Sequence, residues 1–334
     1  MYNICAKTNN LTKYKSRIFI KDTLEIETYI IGYQIQGEAI LFFIRADKGI
    51  TFSGLIDCYR NSKTDKIKGI MEENNVDKLN FLCWTHPDYD HSNGMEEILG
   101  TYVDDKTVIW IPEGVEEGEI QCSTNVRKLF AHLRQCVLDE RANYNVYSAS
   151  DKKDLMYYNS VCFQKDMDYF PLEILSYAPN SKIIRKQMYL DKYIKNDRSI
   201  FFTLALGDVR IFLTGDIEDE TISRIPTCFL DEHIHIMKIP HHGSSSSTKV
   251  LEWGEGKCDV ACSTVYRNGK QNLPVSEVME QYRKQAQLLF CTGQREMENE
   301  VVDYGVVKIV TNVLERTFET FVEGNAGIWK TVTS

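Results

Sequence analysis

Apolar and polar positions alternate with a period of two along the first third of the chain, the pattern of half-buried strands. Leu24 to Ile31, Ala39 to Ile44 and Ile50 to Ile56 are predicted strands, separated by turn residues at Gly32, Gly37 and Asp47-Lys48-Gly49. Residues 62–76 are polar with helical spacing, and Leu79 to Thr85 is a short apolar strand. Met95 to Leu99 reads as a helix start, residues 107–112 as a strand and 115–139 as a helix, with Val126, Leu129, Phe130, Leu133 and Val137 on one face. Residues 140–168 are polar and show no clear period. In the second half, Leu172 to Leu175 is a strand followed by a charged linker. Ser199 to Leu206 and Val209 to Thr214 form a hairpin about Gly207-Asp208. His233 to Ile239 and Val260 to Ser263 are strands, 275–287 is a helix, and strands near 305–311 and 317–323 close the chain. Two strand-rich halves, each carrying helices and with no Pro/Ser-rich linker between them, predict an α/β fold. Residues 1–334 are expected to be one domain of two packed halves, with 101–170 as a candidate insertion.

Composition narrows this picture. The chain has 334 residues, 43% hydrophobic and 26% charged, an ordinary globular balance with enough length for a large core. A net charge of −9 argues against a broad basic face for nucleic acid, so any such contact is expected to be local or to run through metal ions. No run of 18 or more apolar residues predicts a membrane span, and Met1 to Cys5 does not read as a signal peptide. The ten cysteines form no C-x-x-C pair and read as buried free thiols of a cytoplasmic protein.

Three motifs carry chemistry. In His86-Pro87-Asp88-Tyr89-Asp90-His91, four metal-capable side chains fall within six residues directly after a strand. Alternation in an extended segment would bring His86, Asp88 and Asp90 to one face, with His91 turning in as a helix begins. Nitrogen and oxygen donors without sulfur suit zinc, manganese or iron. In Phe212-Leu213-Thr214-Gly215-Asp216, an apolar strand ends in a lone carboxylate able to bridge two metals. In Lys238-Ile239-Pro240-His241-His242-Gly243-Ser244, two histidines leave a strand ahead of Ser244 to Ser247, which would cap a helix or hold a phosphate oxygen. Adjacent residues rarely face one metal. One histidine is therefore read as a ligand, with His242 favoured, and the other, His241, as a catalytic or supporting group.

Together these motifs resemble the metallo-β-lactamase superfamily, in particular the soluble hydrolase domain of ComEC-type DNA-uptake proteins, with its T-H-P-D-A-D-H, L-L-T-G-D and P-H-H-G-S segments in the same order. Gln36-Gly37-Glu38-Ala39-Ile40, Leu55-Ile56-Asp57 and Asn196-x-x-Ser199 resemble further segments of that family, so the likeness runs from about residue 24 to near the C-terminus. It implies a four-layer αββα sandwich with metals at one edge between two sheets, and Asp57 as a support behind the ligands. It also implies an aspartate, Asp88, where most of the superfamily has a histidine; an oxygen donor there makes manganese as good a candidate as zinc. Three departures stand out. Leu273-Pro274 occupies the place of a family His-Pro, Glu38 replaces an aspartate, and the membrane helices of the ComEC proteins are missing, leaving only a hydrolase unit.

The resemblance implies a nuclease or phosphodiesterase with one or two divalent ions, zinc or manganese, held by His86, Asp88, Asp90, His91, Asp216 and His242. Such ions would lower the pKa of a bound water for attack on phosphorus or carbonyl carbon. Asp90 and His241 are the candidate catalytic residues, and Lys238, Ser244 and Asn196 would position phosphate. Nucleic acid is then the expected substrate. Two alternatives remain: a hydrolase of small esters, lactones or thioesters, and a regulatory subunit with a degenerate site. A signal-free relative of a DNA-processing domain would also suit an antiviral defence assembly in which a partner protein gates the enzyme.

Overall fold

The computed structural model describes residues 14–61, 63–115, 122–138, 145–225, 233–253, 258–269, 271–293 and 302–330. The N-terminal half runs β1 (Ser16–Phe19), β2 (Leu24–Tyr33), β3 (Glu38–Ala46), β4 (Gly49–Ile56), α1 (Lys66–Glu73), β5 (Phe81–Cys83), α2 (Tyr89–Ser92), α3 (Met95–Tyr102), β6 (Val108–Pro112), α4 (Thr124–Leu138) and β7 (Asn145–Ala149). There follow β8 (Lys153–Asp154), β9 (Val161–Lys165), β10 (Asp168–Ala178), α5 (Ser181–Tyr189), β11 (Phe201–Leu206), β12 (Val209–Leu213), α6 (Asp219–Ile222), β13 (Ile234–Lys238), β14 (Cys258–Ser263), α7 (Ser276–Arg283), β15 (Ala286–Cys291), β16 (Tyr304–Asn312), β17 (Thr317–Gly324) and β18 (Gly327–Ile328).

The strands form two sheets on one plan. The first has the order β17-β16-β2-β3-β4-β5-β6-β7; the second runs β1-β9-β10-β11-β12-β13-β14-β15-β18, with β8 on β10. Each contains an antiparallel stretch that feeds a parallel one, β4-β5-β6-β7 in the first and β12-β13-β14-β15 in the second. Parallel neighbours need crossovers, and among them are α1, α3, α4, α6 and α7.

Period-two alternation decides which core each strand residue joins. Ile26, Ile30, Ile40, Phe42 and Phe81 of the first sheet meet Ile174, Phe202, Leu204, Ile211 and Ile236 of the second in a core between the sheets. Phe81 and Phe202 form an edge-on ring pair there, 6.0 Å apart. Ile31, Leu41, Phe43 and Leu55 face the other way, against Ile67 and Met71 of α1, Ile98 and Leu99 of α3, and Val126 and Leu129 of α4. Phe201, Phe212 and Met237 likewise pack against Ile222 of α6 and Val278 and Met279 of α7. The result is a mixed α/β sandwich of two sheets with helices on their outward faces.

Several expectations are corrected. The charged stretch after β10 contains α5, begun by Asn180, whose side chain accepts from the backbone N–H groups of Lys182 and Ile183. The polar region 140–168 contributes β7 to the first sheet and β9 to the second. The helix expected over 275–287 ends at Arg283, and β15 follows as an inner strand. Residues 116–121 and 139 of the helix expected over 115–139, and Met1 to Cys5, lie outside the described residues.

Candidate metal centre

The candidate ligands, with Asp57 and Thr264, leave the C-terminal ends of strands in the two parallel stretches, the end where open α/β sheets place ligands. Asp57 follows β4 directly, His86 follows β5 by three residues, Asp216 follows β12 by three, His242 follows β13 by four, and Thr264 follows β14. A hydrogen bond ties the two sheets together at this edge: Ile200 N donates to Thr85 O at 3.0 Å. Within the second sheet, Asp216 N donates to Ser199 Oγ at 2.9 Å, which joins the segment after β12 to the one before β11.

His86, Asp90, His91, Asp216 and His242 are all buried. His86 Nε2 lies 3.6 Å from Asp88 Oδ2 and 3.7 Å from Asp216 Oδ2. His91 Nε2 lies 3.4 Å from Asp90 Oδ2, 3.5 Å from Asp216 Oδ1 and 3.3 Å from His242 Nε2. His242 Nε2 lies 3.1 Å from Asp90 Oδ2 and 3.5 Å from Asp216 Oδ2. Asp216 thus reaches His86 on one side and the His91–His242 pair on the other. The convergence has a different local cause from the one expected. A short helix, α2, starts at Tyr89, so Asp90 and His91 enter from a helical turn, with only His86 and Asp88 on extended chain.

The surrounding hydrogen bonds decide which ring nitrogen faces the centre. Asp57 accepts from Thr85 N at 2.7 Å, from Thr85 Oγ1 at 2.6 Å and from His91 Nδ1 at 2.7 Å. Thr85 Oγ1, its proton given to Asp57, accepts from His86 Nδ1 at 3.0 Å. Thr264 Oγ1 gives its proton to Glu38 at 2.5 Å and accepts from His242 Nδ1 at 2.7 Å. All three histidines therefore hold a proton on Nδ1 and turn Nε2 inward, the nitrogen that carries the ligand lone pair when the ring is neutral, as in carboxylate-backed metal histidines. His86 Nε2, Asp90 Oδ2 and Asp216 Oδ1 are buried with no hydrogen-bond partner. Buried polar atoms are rarely left so. Donors about 2.1 Å from a shared ion stand roughly 3.0–3.5 Å apart, close to the spacing here. The residues fit a divalent metal.

Charge points the same way. Burial opposes a charged His91, yet the carboxylates of Asp216, Asp90 and Asp57 outweigh it and hold the ring well above its ordinary range. Burial likewise opposes charge on His242, but Asp216, Asp90 and Glu38 push it up to about 9. Burial would raise Asp216; His242, His91 and His241 hold it well below the usual carboxylate range. Protons on these imidazoles and a divalent cation are alternative ways to offset the same buried negative charge.

The remaining candidates take varied places. Asp88 is the most open of the candidate ligand acids, and Lys195 Nζ lies 2.5 Å from its Oδ1. His241 and His242 both adopt left-handed backbone, φ 47° and 51°, which sends the two side chains to different neighbours. His241 lies at the rim, 3.3 Å from Glu218 Oε1, 3.2 Å from Ser246 Oγ and 3.4 Å from Asn196 Nδ2. Ser244 caps a 3-10 turn, Ser245–Ser247, by accepting from Ser246 N, and a second 3-10 segment, Lys249–Trp253, follows in place of the expected α-helix. Lys238 corrects the expectation of a phosphate contact: it is fully buried, 2.7 Å from Glu38 and donating to Ile239 O. From the sequence Glu38 is only part of a motif and carries no role, and Thr85, Thr264 and Lys195 carry none either; all four contact the site. Thr264 and Lys195 sit beside a predicted strand end and Asn196 respectively, the one signal that could have found them.

Among the described residues one further group with metal-ligand chemistry stands apart, His233, His235 and Asp259, at the opposite end of β13. There His235 Nδ1 accepts from Arg210 N at 3.2 Å, which leaves the proton of a neutral ring on Nε2 and removes its ligand lone pair.

No protein-family model matches the chain, and no curated protein does. One similar solved structure is the crystal structure of a "putative metal-dependent hydrolase" from Parabacteroides distasonis, 14% identical, covering 75% of this chain and 93% of that one, with a TM-score of 0.36. At that distance the functional assignment rests on the residues of this chain.

Proposed function

We propose that the chain is a metal-dependent hydrolase of the metallo-β-lactamase type, a nuclease or phosphodiesterase, with its two sheets and outer helices forming the four-layer αββα sandwich. The observation that carries this reading is the inward aim of three Nε2 atoms toward the buried oxygens of Asp90 and Asp216. His86, Asp88, Asp90, His91, Asp216 and His242 would hold one or two ions, zinc or manganese. When bound, such an ion polarises a phosphoryl or carbonyl oxygen and lowers the pKa of water. The protein's own part is orientation: Asp57 and Thr85 fix His86 and His91, and Glu38 and Thr264 fix His242.

Support for an anionic phosphodiester comes from the rim. Lys195, Asn196 and Ser246 offer donors there, and His241, held by Glu218, is placed to pass a proton to a leaving group. The net charge of −9 favours the second reading, a small ester or lactone hydrolase. Activity assays with zinc or manganese on single-stranded DNA, duplex DNA, RNA and a set of small esters separate the two, with elemental analysis of the purified protein alongside. Asp90→Ala is expected to lower turnover at least a hundredfold while circular dichroism stays unchanged. Full activity in that variant would remove the assignment.

A further inference from the structure

A group of cations lies just outside the mouth of the site. Although the chain is acidic overall, the outer face of α5 and the segment after it expose Lys182, Arg185, Lys186 and Lys192. Lys186 is tied to Glu220 at 3.2 Å. Among the described residues no carboxylate pairs with the side chains of Lys182, Arg185 or Lys192. The inner face of α5 fixes this strip beside the site. Gln187 donates to Asp197 at 2.7 Å and accepts from Arg198 at 3.3 Å, in the turn that begins at Asn196, next to Lys195 on Asp88.

Among these cations stand Met188, Tyr189 and Leu190, 65%, 86% and 62% exposed. Tyr189 is the most exposed large apolar side chain among the described residues. Three successive large apolar groups left in water offer a surface on which a partner could lie. Lys182, Arg185 and Tyr189 stand at i, i+3 and i+7, on one side of the helix. Cations interleaved with a flat ring match a ligand that repeats a negative charge and a flat face, which is a single nucleic-acid strand. An acidic peptide would satisfy the charges and leave the ring without a partner.

We infer that α5 and residues 190–195 form the track along which single-stranded nucleic acid reaches the metal centre, with Lys182, Arg185 and Lys192 on phosphates and Tyr189 under a base. This rests on the phosphodiesterase reading above. The test measures binding of a fluorescein-labelled oligothymidylate by anisotropy in EDTA, across a salt series. The triple variant Lys182→Ala, Arg185→Ala, Lys192→Ala is expected to bind at least tenfold more weakly at low salt. Its slope of log affinity against log salt should fall by about 2, since each lost phosphate contact removes roughly 0.7. Tyr189→Ala is expected to lose about tenfold with the slope unchanged. Wild-type affinity and slope in the triple variant would overturn the track, as would an exposed Tyr189 that proves to hold two copies of the chain together in sedimentation. Hydrolysis of bis(p-nitrophenyl) phosphate with manganese, expected to be equal in wild type and triple variant, keeps the two claims apart. Its absence in the wild type counts against the phosphodiesterase reading, and loss of it in the triple variant alone counts against the track.

Discussion

Lys238 and Lys195 show how differently one residue type behaves at two depths. Lys238 is sealed against Glu38, so the pair has lost water on both sides and each member depends on the other. Lys195 and Asp88 are both part-exposed, so their pair is screened by solvent and parting it costs less than parting Lys238 from Glu38. Lys238→Met is therefore expected to cost about 3–5 kcal/mol of stability by leaving Glu38 charged and alone. Urea unfolding measures it, and adding Glu38→Gln should recover much of the loss. A rise in KM at unchanged stability would instead mean that Lys238 meets substrate. The residue types of the ligand set were legible in the sequence. The sequence favoured His242 as the inward member of the 241–242 pair, and the structure turns it inward; the left-handed backbone at both positions that sets each side chain's direction was not legible.

At the scale of elements, the antiparallel part of the first sheet carries an ion cluster across three strands, a buried carboxylate between two half-buried cations. Glu27 on β2 meets Arg45 on β3 at 3.0 Å and Lys308 on β16 at 3.3 Å. Burial alone would raise Glu27, but the bonds from Arg45 and the charge of Lys308 hold it below its ordinary value near 4.5. A carboxyl depressed in the folded state adds stability above its unfolded pKa and loses it as pH falls through the folded value. Glu27→Gln is thus expected to be less stable than wild type at about pH 7, by roughly 1–3 kcal/mol, with the gap closing below about pH 4. Urea midpoints over that range read it; a gap independent of pH would contradict it. The alternation 24–31 announces β2 as a strand, while its partner Lys308 lies 281 residues away and no local pattern points to it.

On the scale of the molecule, the two halves do not keep to themselves. β16 and β17 come late in the chain, yet β16 pairs with β2 in the sheet built by the beginning, and β17 pairs with β16 at its edge. Val307 and Ile309 of β16 also enter the core between the sheets. Ending the chain at residue 301 would strip that core and leave β2 as a bare apolar edge. The expected result is aggregation in place of a folded product, checked by size exclusion and circular dichroism; a monomeric, cooperatively melting truncation would show that the closing hairpin is dispensable. No described helix is long and apolar enough to cross a membrane.

Sequence alone determined the strands with clean alternation and the clusters of His and Asp at their ends, because both are local: a period of two and donor atoms a few residues apart. Tertiary structure decided how those clusters meet. Glu38 reaches Thr264 across 226 residues to set the proton on His242, and Asp57 crosses from β4 to do the same for His91. Sheet order and strand register make those contacts, and they bring His86-x-Asp88-x-Asp90-His91 together with Asp216 and His242 as one candidate metal centre, with Lys195 at its mouth and Lys238 buried behind it.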